Sequence, residues 1–238
     1  MRLDKLLSNA GFGSRQEVKK LIRQGMVTVN GEVVSDPSFH VDPEKDEVLV
    51  NDEFVDYDEY YYLMLHKPAG YITSTKDKEL TVMELITDVP RPEKLFPVGR
   101  LDKDAEGLLL ITNDGELAHR LTHPKWKVPK TYYVIVEGKL TEDKVESLRK
   151  GISFKDFRTK PAKVKIIKAG ETESEAEIEM TEGKYHQVKR MFEKIGHSVK
   201  YLKRIKFGNL KLGNLPKGEY RNLTPKELEE LKKLVGLL

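Results

Sequence analysis

The chain has 238 residues, of which 38% are hydrophobic and 34% are charged, and it carries a net charge of +3 with no cysteine. It is too apolar for a disordered chain and too polar for a membrane protein, and without cysteine it lacks disulfides and sulfur-ligated zinc sites. Because the N terminus also lacks the apolar core of a signal peptide, we expect a globular cytoplasmic protein that has no contact with membranes.

Residues 1–56 are expected to form a small N-terminal domain. Apolar spacing and turn residues predict, in chain order, two helices, a hairpin and a third strand: 2–10, 14–25, 26–34 and 48–50. Ser14 with Glu17 is a capping-box signature for the second helix, and Asn30-Gly31 is a strong hairpin signal. The acidic stretch 51–60 is predicted to link this domain to the rest of the chain.

Residues 60–238 are expected to form a second, larger domain. Its predicted strands are 61–66, 108–112, 131–136, 162–168, 173–180 and 198–206. Its predicted helices are 116–121, 141–151, 185–195 and a last one that begins at Thr224-Pro225. Because strands outnumber helices and hairpin turns recur, the pattern predicts an α+β domain with a mainly antiparallel sheet.

The charges are distributed unevenly along the chain. Residues 1–26 contain six basic and two acidic side chains, and residues 184–211 contain nine basic side chains and one acidic. Residues 27–60 contain eleven acidic side chains and one basic. Two basic zones on a nearly neutral protein favour contact with a polyanion at two places, although solvated faces rich in lysine would give the same pattern.

The N-terminal basic zone lies on the two predicted helices, whose apolar faces are used in packing. Cations on the outer faces of helices suit phosphate contacts, which position a protein on nucleic acid without reading bases. The pattern Arg2-Leu3-Asp4-Lys5, Gly13-Ser14-Arg15 and Val29-Asn30-Gly31 resembles the S4 RNA-binding domain. The resemblance implies RNA contacts by Arg2, Lys5, Ser14, Arg15, Lys19 and Arg23, whereas a helical cap domain with incidental charge is the alternative.

The stretch from Gly99 to Gly107 is the densest in functional side chains, with three carboxylates ahead of an apolar strand. A lone acid in a loop is usually a cap or part of an ion pair. Here, however, Gly99-Arg100-Leu101-Asp102 with Gly107 resembles the signature of the ribosomal type of pseudouridine synthases, and the segments 66–70 and 130–132 match the same family. The resemblance implies that Asp102 is the catalytic carboxylate. It also implies that the domain has a mixed, mainly antiparallel sheet with a central cleft.

Residues 182–192 are similar to the branch of this family that modifies small-subunit ribosomal RNA. Enzymes for large-subunit RNA usually carry an Asn-Arg pair where this chain has Tyr185-His186. The resemblance therefore implies a uridine of 16S ribosomal RNA as substrate, within a partly assembled small subunit. A uridine of 23S RNA and a non-catalytic RNA-binding assembly factor are the alternatives.

The same resemblance implies a role for each of several side chains. Lys189 falls where the family keeps a cation beside the aspartate, Tyr132 offers a flat face to the detached uracil, and Arg100 fills the vacated space or holds a phosphate. Lys130, His186, Gln187 and Arg190 are expected to contact RNA. The isomerisation gains and loses no electrons or groups, so no redox cofactor and no ATP are required. We expect a monomer.

Two further features have other interpretations. His119 and His123 are four residues apart, but Pro124 ends that helix and no third ligand lies nearby, so we predict no metal site. Trp126, among lysines, would either stack on an RNA base or pack beside the following strand.

Overall fold

The computed structural model describes residues 1–238, which divide into two units. The first unit consists of Met1–Tyr61 and Thr87–Leu95, and the second consists of Tyr62–Ile86 and Phe96–Leu238. None of the helices in either unit has the length and apolar character that crossing a membrane requires.

The elements of the first unit are α1 (Leu3–Asn9), α2 (Arg15–Arg23), β1 (Val27–Val29), β2 (Glu32–Val33), β3 (Val48–Val50) and β4 (Glu53–Phe54). The two helices pack on a four-stranded antiparallel sheet of order β2-β1-β3-β4. The predicted capping box is present, because Ser14 Oγ accepts from the Glu17 amide at 3.3 Å and the Glu17 carboxylate accepts from the Ser14 amide at 2.7 Å. Leu3, Leu7 and Ile22 are fully buried in its core.

Two features of this unit differ from the sequence prediction. The acidic stretch expected to be a linker begins as a hairpin, because Asn51 and Asp52 adopt positive φ and turn β3 back onto β4. The segment Thr87–Leu95, far away in sequence, also belongs to this unit. There Arg91 donates hydrogen bonds to the carbonyl and hydroxyl oxygens of Ser8 at 2.8 and 3.0 Å.

The second unit contains four helices and nine strands. Its strands are β5 (Tyr62–Lys67), β6 (Phe96–Val98), β7 (Glu106–Thr112), β8 (Lys130–Glu137), β9 (Lys163–Ala169), β10 (Glu173–Met180), β11 (Val199–Phe207), β12 (Leu210–Lys211) and β13 (Tyr220–Asn222). Its helices are α3 (Gly115–Thr122), α4 (Glu142–Lys150), α5 (Gln187–Lys194) and α6 (Pro225–Leu234). Short 3₁₀ turns occur at Val82–Leu85, Pro92–Lys94 (in the first unit) and Pro124–Trp126.

These strands form one sheet of order β13-β5-β7-β11-β8-β10-β9, with β6 paired to β7 and β12 to β11. Every pairing is antiparallel except that between β7 and β11, which is parallel. The prediction of an α+β domain with a mixed, mainly antiparallel sheet is therefore confirmed. One side of the sheet is covered by α3 and α6, whose Leu117 and Leu231 pack with Leu108 and Phe207 in the main core.

Glycine at position 107 allows the parallel pair to form. Its φ is +113°, and a Cβ atom there would lie 2.2 Å from the carbonyl oxygen of Arg204 on β11. Only glycine permits so close an approach of two backbones at positive φ.

Two smaller outcomes concern side chains near the ends of elements. Helix α5 begins at Gln187, two residues later than predicted, because His186 has a left-handed backbone with φ of +50°. Trp126 packs against the main core, and the charged groups of Arg120 and Lys125 lie 5.4 and 5.2 Å from its ring centroid, which favours the packing interpretation.

Candidate active site

Asp102 lies in the loop between β6 and β7, and this loop is held by buried polar contacts. The Thr73 hydroxyl donates to the Leu101 carbonyl at 2.8 Å and accepts from the Leu101 amide at 3.1 Å. On the other side of Asp102, the ammonium of Lys67 donates to the carbonyls of Lys103 and Ala105 at 3.1 and 2.6 Å. The backbone is therefore fixed on both sides of the carboxylate.

Lys67 is fully buried and also donates to the Pro68 carbonyl at 3.0 Å. Burial lowers the pKa of Lys67 to about 8, and the charges of Asp104, Glu106 and Asp102 oppose this only in part. Three carbonyl acceptors match the three donors of an ammonium, so the protonated form suits this position.

The carboxylate of Asp102 is 29% exposed and lies beside two side chains of the segment around α5. Lys189 Nζ is 3.5 Å from Asp102 Oδ2, and His186 Nε2 is 3.4 Å from Asp102 Oδ1. His186 is stacked on Tyr185, with ring centroids 3.8 Å apart, so the exposed tyrosine covers the outer face of the imidazole.

Lys189 is shared between two carboxylates. Its ammonium donates to both oxygens of Asp104, at 2.7 and 2.9 Å, and is thus closer to Asp104 than to Asp102. The hydrogen bond from Lys189 is the main cause that lowers the pKa of Asp104. Burial alone would lower the pKa of Lys189, but the hydrogen bond to Asp104 and the charge of Asp102 outweigh it and the pKa is raised. Lys189 therefore remains a cation at neutral pH.

A cleft of about 950 Å³ brings these groups together with others from the sheet. Its lining includes Arg100, Asp102 and Lys189, together with Tyr132 and Lys130 from β8. Tyr132 is 8% exposed. Asp102, Tyr132 and Lys189 also line a smaller recess of about 90 Å³. The cleft falls within the usual volume range of small-molecule sites, roughly 300–1,000 Å³, so it has room for an unstacked nucleotide.

Two other residues expected to contact RNA instead form hydrogen bonds within the protein. Gln187 is buried, accepts from the Lys184 amide at 2.9 Å and donates to Glu182 at 2.8 Å, so it braces the turn ahead of α5. Arg190 pairs with both oxygens of Asp156, at 2.7 and 3.1 Å, and does not line the cleft.

In the first unit, the cations expected to bind RNA divide into two groups. Arg2 and Arg15 both bind the buried carboxylate of Asp4 at 3.0 Å. Burial would raise the pKa of Asp4, but the hydrogen bonds and charges of the two arginines outweigh it and lower the pKa. Lys5, Lys19 and Arg23 make no ion pair; Lys5 and Arg23 are exposed and Lys19 is half-buried. The Ser14 hydroxyl is used in the helix cap.

Comparison with known proteins agrees with this architecture. Residues 61–194 match the family model described as RNA pseudouridylate synthase, and residues 1–53 match the S4 domain. The chain belongs to the RNA pseudouridylate synthase family and carries an S4 domain in front; the enzymes of this family are isomerases that convert uridine to pseudouridine.

Relatives align over nearly the whole chain. An uncharacterized RNA pseudouridine synthase, YtzG of Bacillus subtilis, is 46% identical over 97% of this chain and 98% of its own length. Ribosomal small subunit pseudouridine synthase A of Vibrio parahaemolyticus is 40% identical over 97% of this chain and 99% of its own length. Ribosomal large subunit pseudouridine synthase B of Bacillus subtilis is 39% identical over 98% of this chain and 96% of its own length. A crystal structure of a pseudouridylate synthase superposes with a TM-score of 0.68 at 38% identity, covering 97% of this chain and 99% of that chain.

The sequence patterns give no individual role to Lys67, Thr73 or Arg204. Lys67 lies inside a segment that matches the family, and Thr73 carries no local signal. Arg204 is one of the nine basic side chains of residues 184–211, and in the structure it is only 2% exposed and lines the cleft. Its position two residues after the buried Leu202 on a strand would have indicated an inward-facing side chain.

Proposed function

We propose that this chain isomerises one specific uridine of bacterial small-subunit (16S) ribosomal RNA to pseudouridine, with Asp102 as the catalytic carboxylate. The observation that carries the proposal is the convergence of Asp102, Tyr132 and Lys189 on one cleft. The pair Tyr185-His186 supports the small-subunit substrate, because the family resemblance links an Asn-Arg pair at this point to large-subunit enzymes.

In this reaction the bond between N1 and C1′ breaks, the uracil turns, and C5 is joined to C1′ while a proton leaves C5 and N1 regains one. The ionised carboxylate of Asp102 either attacks C1′ or removes a proton at C2′. Lys189 Nζ, 3.5 Å from Asp102 Oδ2, places a positive charge beside that carboxylate in a partly buried site.

Tyr132 and Arg100 act on the base and on the strand around it. The target nucleotide must leave its stack to reach Asp102. The ring of Tyr132, fixed on β8, supplies a flat surface for the detached uracil, and its hydroxyl is suited to act near C5. Arg100 is exposed at the cleft and either fills the space left in the RNA or holds a phosphate.

The proposal also includes the contacts of the S4 domain with RNA and the state in which the enzyme acts. The S4 domain binds the ribosomal RNA through the exposed Lys5 and Arg23 and the half-buried Lys19, together with Arg2 and Arg15. The enzyme acts in the cytoplasm as a monomer on a partly assembled small subunit.

To test this proposal, the wild-type chain and Asp102→Asn are incubated with undermodified 16S and 23S RNA and with partly assembled small subunits. Pseudouridines are then mapped by primer extension after carbodiimide treatment. We expect one new site in 16S RNA with the wild type and none with Asp102→Asn. Asp143→Asn, which changes an exposed carboxylate on α4, is the matched control and should behave as the wild type.

Two outcomes would overturn the proposal in different ways. A site in 23S RNA alone would keep the chemistry and change the substrate, which is the rival that the large-subunit relative favours. A wild type that binds RNA but modifies no uridine would mean that the protein is an RNA-binding assembly factor.

A further inference from the structure

Two cations lie in the cleft without any acidic partner. Lys130 on β8 donates one hydrogen bond, to the Val128 carbonyl at 3.3 Å, and Arg204 on β11 donates one from Nε to the Leu108 carbonyl at 2.8 Å. A second nitrogen of Arg204, Nη2, is buried and has no hydrogen-bond partner. Neither cation forms an ion pair, whereas Lys189 in the same cleft contacts two carboxylates.

The sheet register brings the two cations to one place. Across the antiparallel pair of β8 and β11, Arg204 lies opposite Tyr132 and Phe207 lies opposite Lys130. Lys130 and Tyr132 are two residues apart and share one face of β8. A register shift between Arg204 and Lys206 brings Phe207 to that face as well, although it is three residues after Arg204.

The ammonium of Lys130 and the guanidinium of Arg204 both lie beside the ring of Phe207. Lys130 Nζ lies 5.7 Å and Arg204 Cζ lies 5.0 Å from the ring centroid, which is the range of cation–π contacts. Two positive charges are thus fixed beside one aromatic ring, next to the tyrosine of the candidate active site.

This arrangement is unfavourable in the absence of an anion. Burial, together with the charge of Arg204, lowers the pKa of Lys130 to about 8. Arg204 is the only charged group that shifts the pKa of Lys130, and no carboxylate on a neighbouring element offsets its charge. Buried cations are normally paired, and clusters of unpaired charge in a cleft are characteristic of binding sites.

We propose that Lys130 and Arg204 bind one phosphodiester of the RNA strand next to the target nucleotide. Phosphate is the anion that an RNA substrate carries at every nucleotide, and an arginine beside a lysine matches its charge and its several acceptor oxygens. The site holds the backbone on one side of the flipped nucleotide while Asp102 faces its sugar. The inference rests on the proposed function only in requiring that RNA enters this cleft.

The direct test does not depend on catalysis. The side-chain signals of lysine in the full chain are followed by NMR while pH is raised, and the signal of Lys130 is assigned by its disappearance in Lys130→Arg. We expect a pKa near 8 without ligand and a rise on adding uridine 3′- or 5′-monophosphate or inorganic phosphate, but no rise with uridine. An unchanged pKa with all three phosphates, or an equal rise with uridine, would overturn the proposal.

A second test uses the RNA reaction. We expect Lys130→Met to lower kcat/KM about tenfold and to reduce the slope of log affinity against log salt by about 0.7, the value for one phosphate contact on single-stranded RNA. Lys165→Met, which changes an exposed lysine on β9 outside the cleft, is the control and should leave both quantities unchanged.

Lys130→Arg separates charge from packing in the same assay. It keeps the positive charge above pH 8, so its RNA affinity should fall less between about pH 7 and 9 than that of the wild type. A folded Lys130→Met with the wild-type salt slope, checked by circular dichroism, would contradict the phosphate site.

Discussion

Lys67 is the residue whose chemistry is most unusual for its position, because its ammonium is buried among backbone carbonyls. Its pKa is about 8 in the folded chain and 10.5 without burial. Between these pH values the unfolded state binds more protons, so the free energy of unfolding rises with pH through this residue. We expect Lys67→Met to remove that rise, which reaches about 1.4 kcal/mol per pH unit.

Urea unfolding of the wild type, Lys67→Met and Lys165→Met at several pH values from about 7 to 10 measures this effect. The difference in free energy of unfolding between the wild type and Lys165→Met should not depend on pH, whereas the difference between the wild type and Lys67→Met should. If the free energies of unfolding of the wild type and Lys67→Met changed in parallel with pH, burial would not shift the pKa of Lys67, and the expectation would be contradicted.

Single residues of the site were predictable from sequence to different degrees. Asp102 and Lys189 were expected to lie together, and their side chains are 3.5 Å apart. The closer contact of Lys189 with Asp104 was not expected, because both aspartates lie in one loop and only the three-dimensional path of that loop decides which one is nearer. The spacing of Arg204 from Leu202 on β11 indicates an inward-facing side chain, but its place in the cleft depends on the pairing of β11 with β7 and β8, which local spacing does not reveal.

At the scale of elements, the pairing of β7 with β11 fixes the end of the loop that carries Asp102, because β7 begins directly after that loop. We expect Gly107→Ala to destabilise the protein by about 3 kcal/mol or more, because an added Cβ would meet the backbone of Arg204 at 2.2 Å and the residue has positive φ. Gly115→Ala, at the start of α3 with no atom within 4 Å of the added Cβ, should be neutral or stabilising. Thermal unfolding of both variants provides the measurement, and equal melting temperatures would contradict the account.

The elements themselves were predicted where local signals are strong. The capping boxes begin α2 and α6, and alternation gives β10 the predicted bounds, Glu173–Met180. Strand β6 was missed because Pro97 lies inside it; a proline lacks the amide that a central strand needs, and β6 pairs with one neighbour only. The parallel pairing of β7 with β11 joins residues about a hundred positions apart, and no short-range pattern encodes it.

At the scale of the whole molecule, we expect RNA binding by the first unit to be separable from catalysis in the second. We expect the triple variant Lys5→Ala, Lys19→Ala and Arg23→Ala to weaken RNA binding and to reduce the salt slope by roughly 0.7 for each phosphate that the variant no longer neutralises, with kcat at saturating RNA unchanged. Lys45→Ala removes an exposed cation from the acidic part of the same unit and is the control. A triple variant with wild-type affinity at low and high salt would contradict this role.

We propose that the carboxylate of Asp102 performs the chemistry, so that its loss stops the reaction while the rest of the cleft remains intact. The most direct measurement is the single-turnover rate of pseudouridine formation in 16S RNA by the wild type and by Asp102→Asn, with RNA affinity measured for both. We expect a rate at least about a thousandfold lower for Asp102→Asn, equivalent to about 4 kcal/mol of activation free energy, at nearly unchanged RNA affinity. An Asp102→Asn protein that forms pseudouridine within about tenfold of the wild-type rate would contradict it.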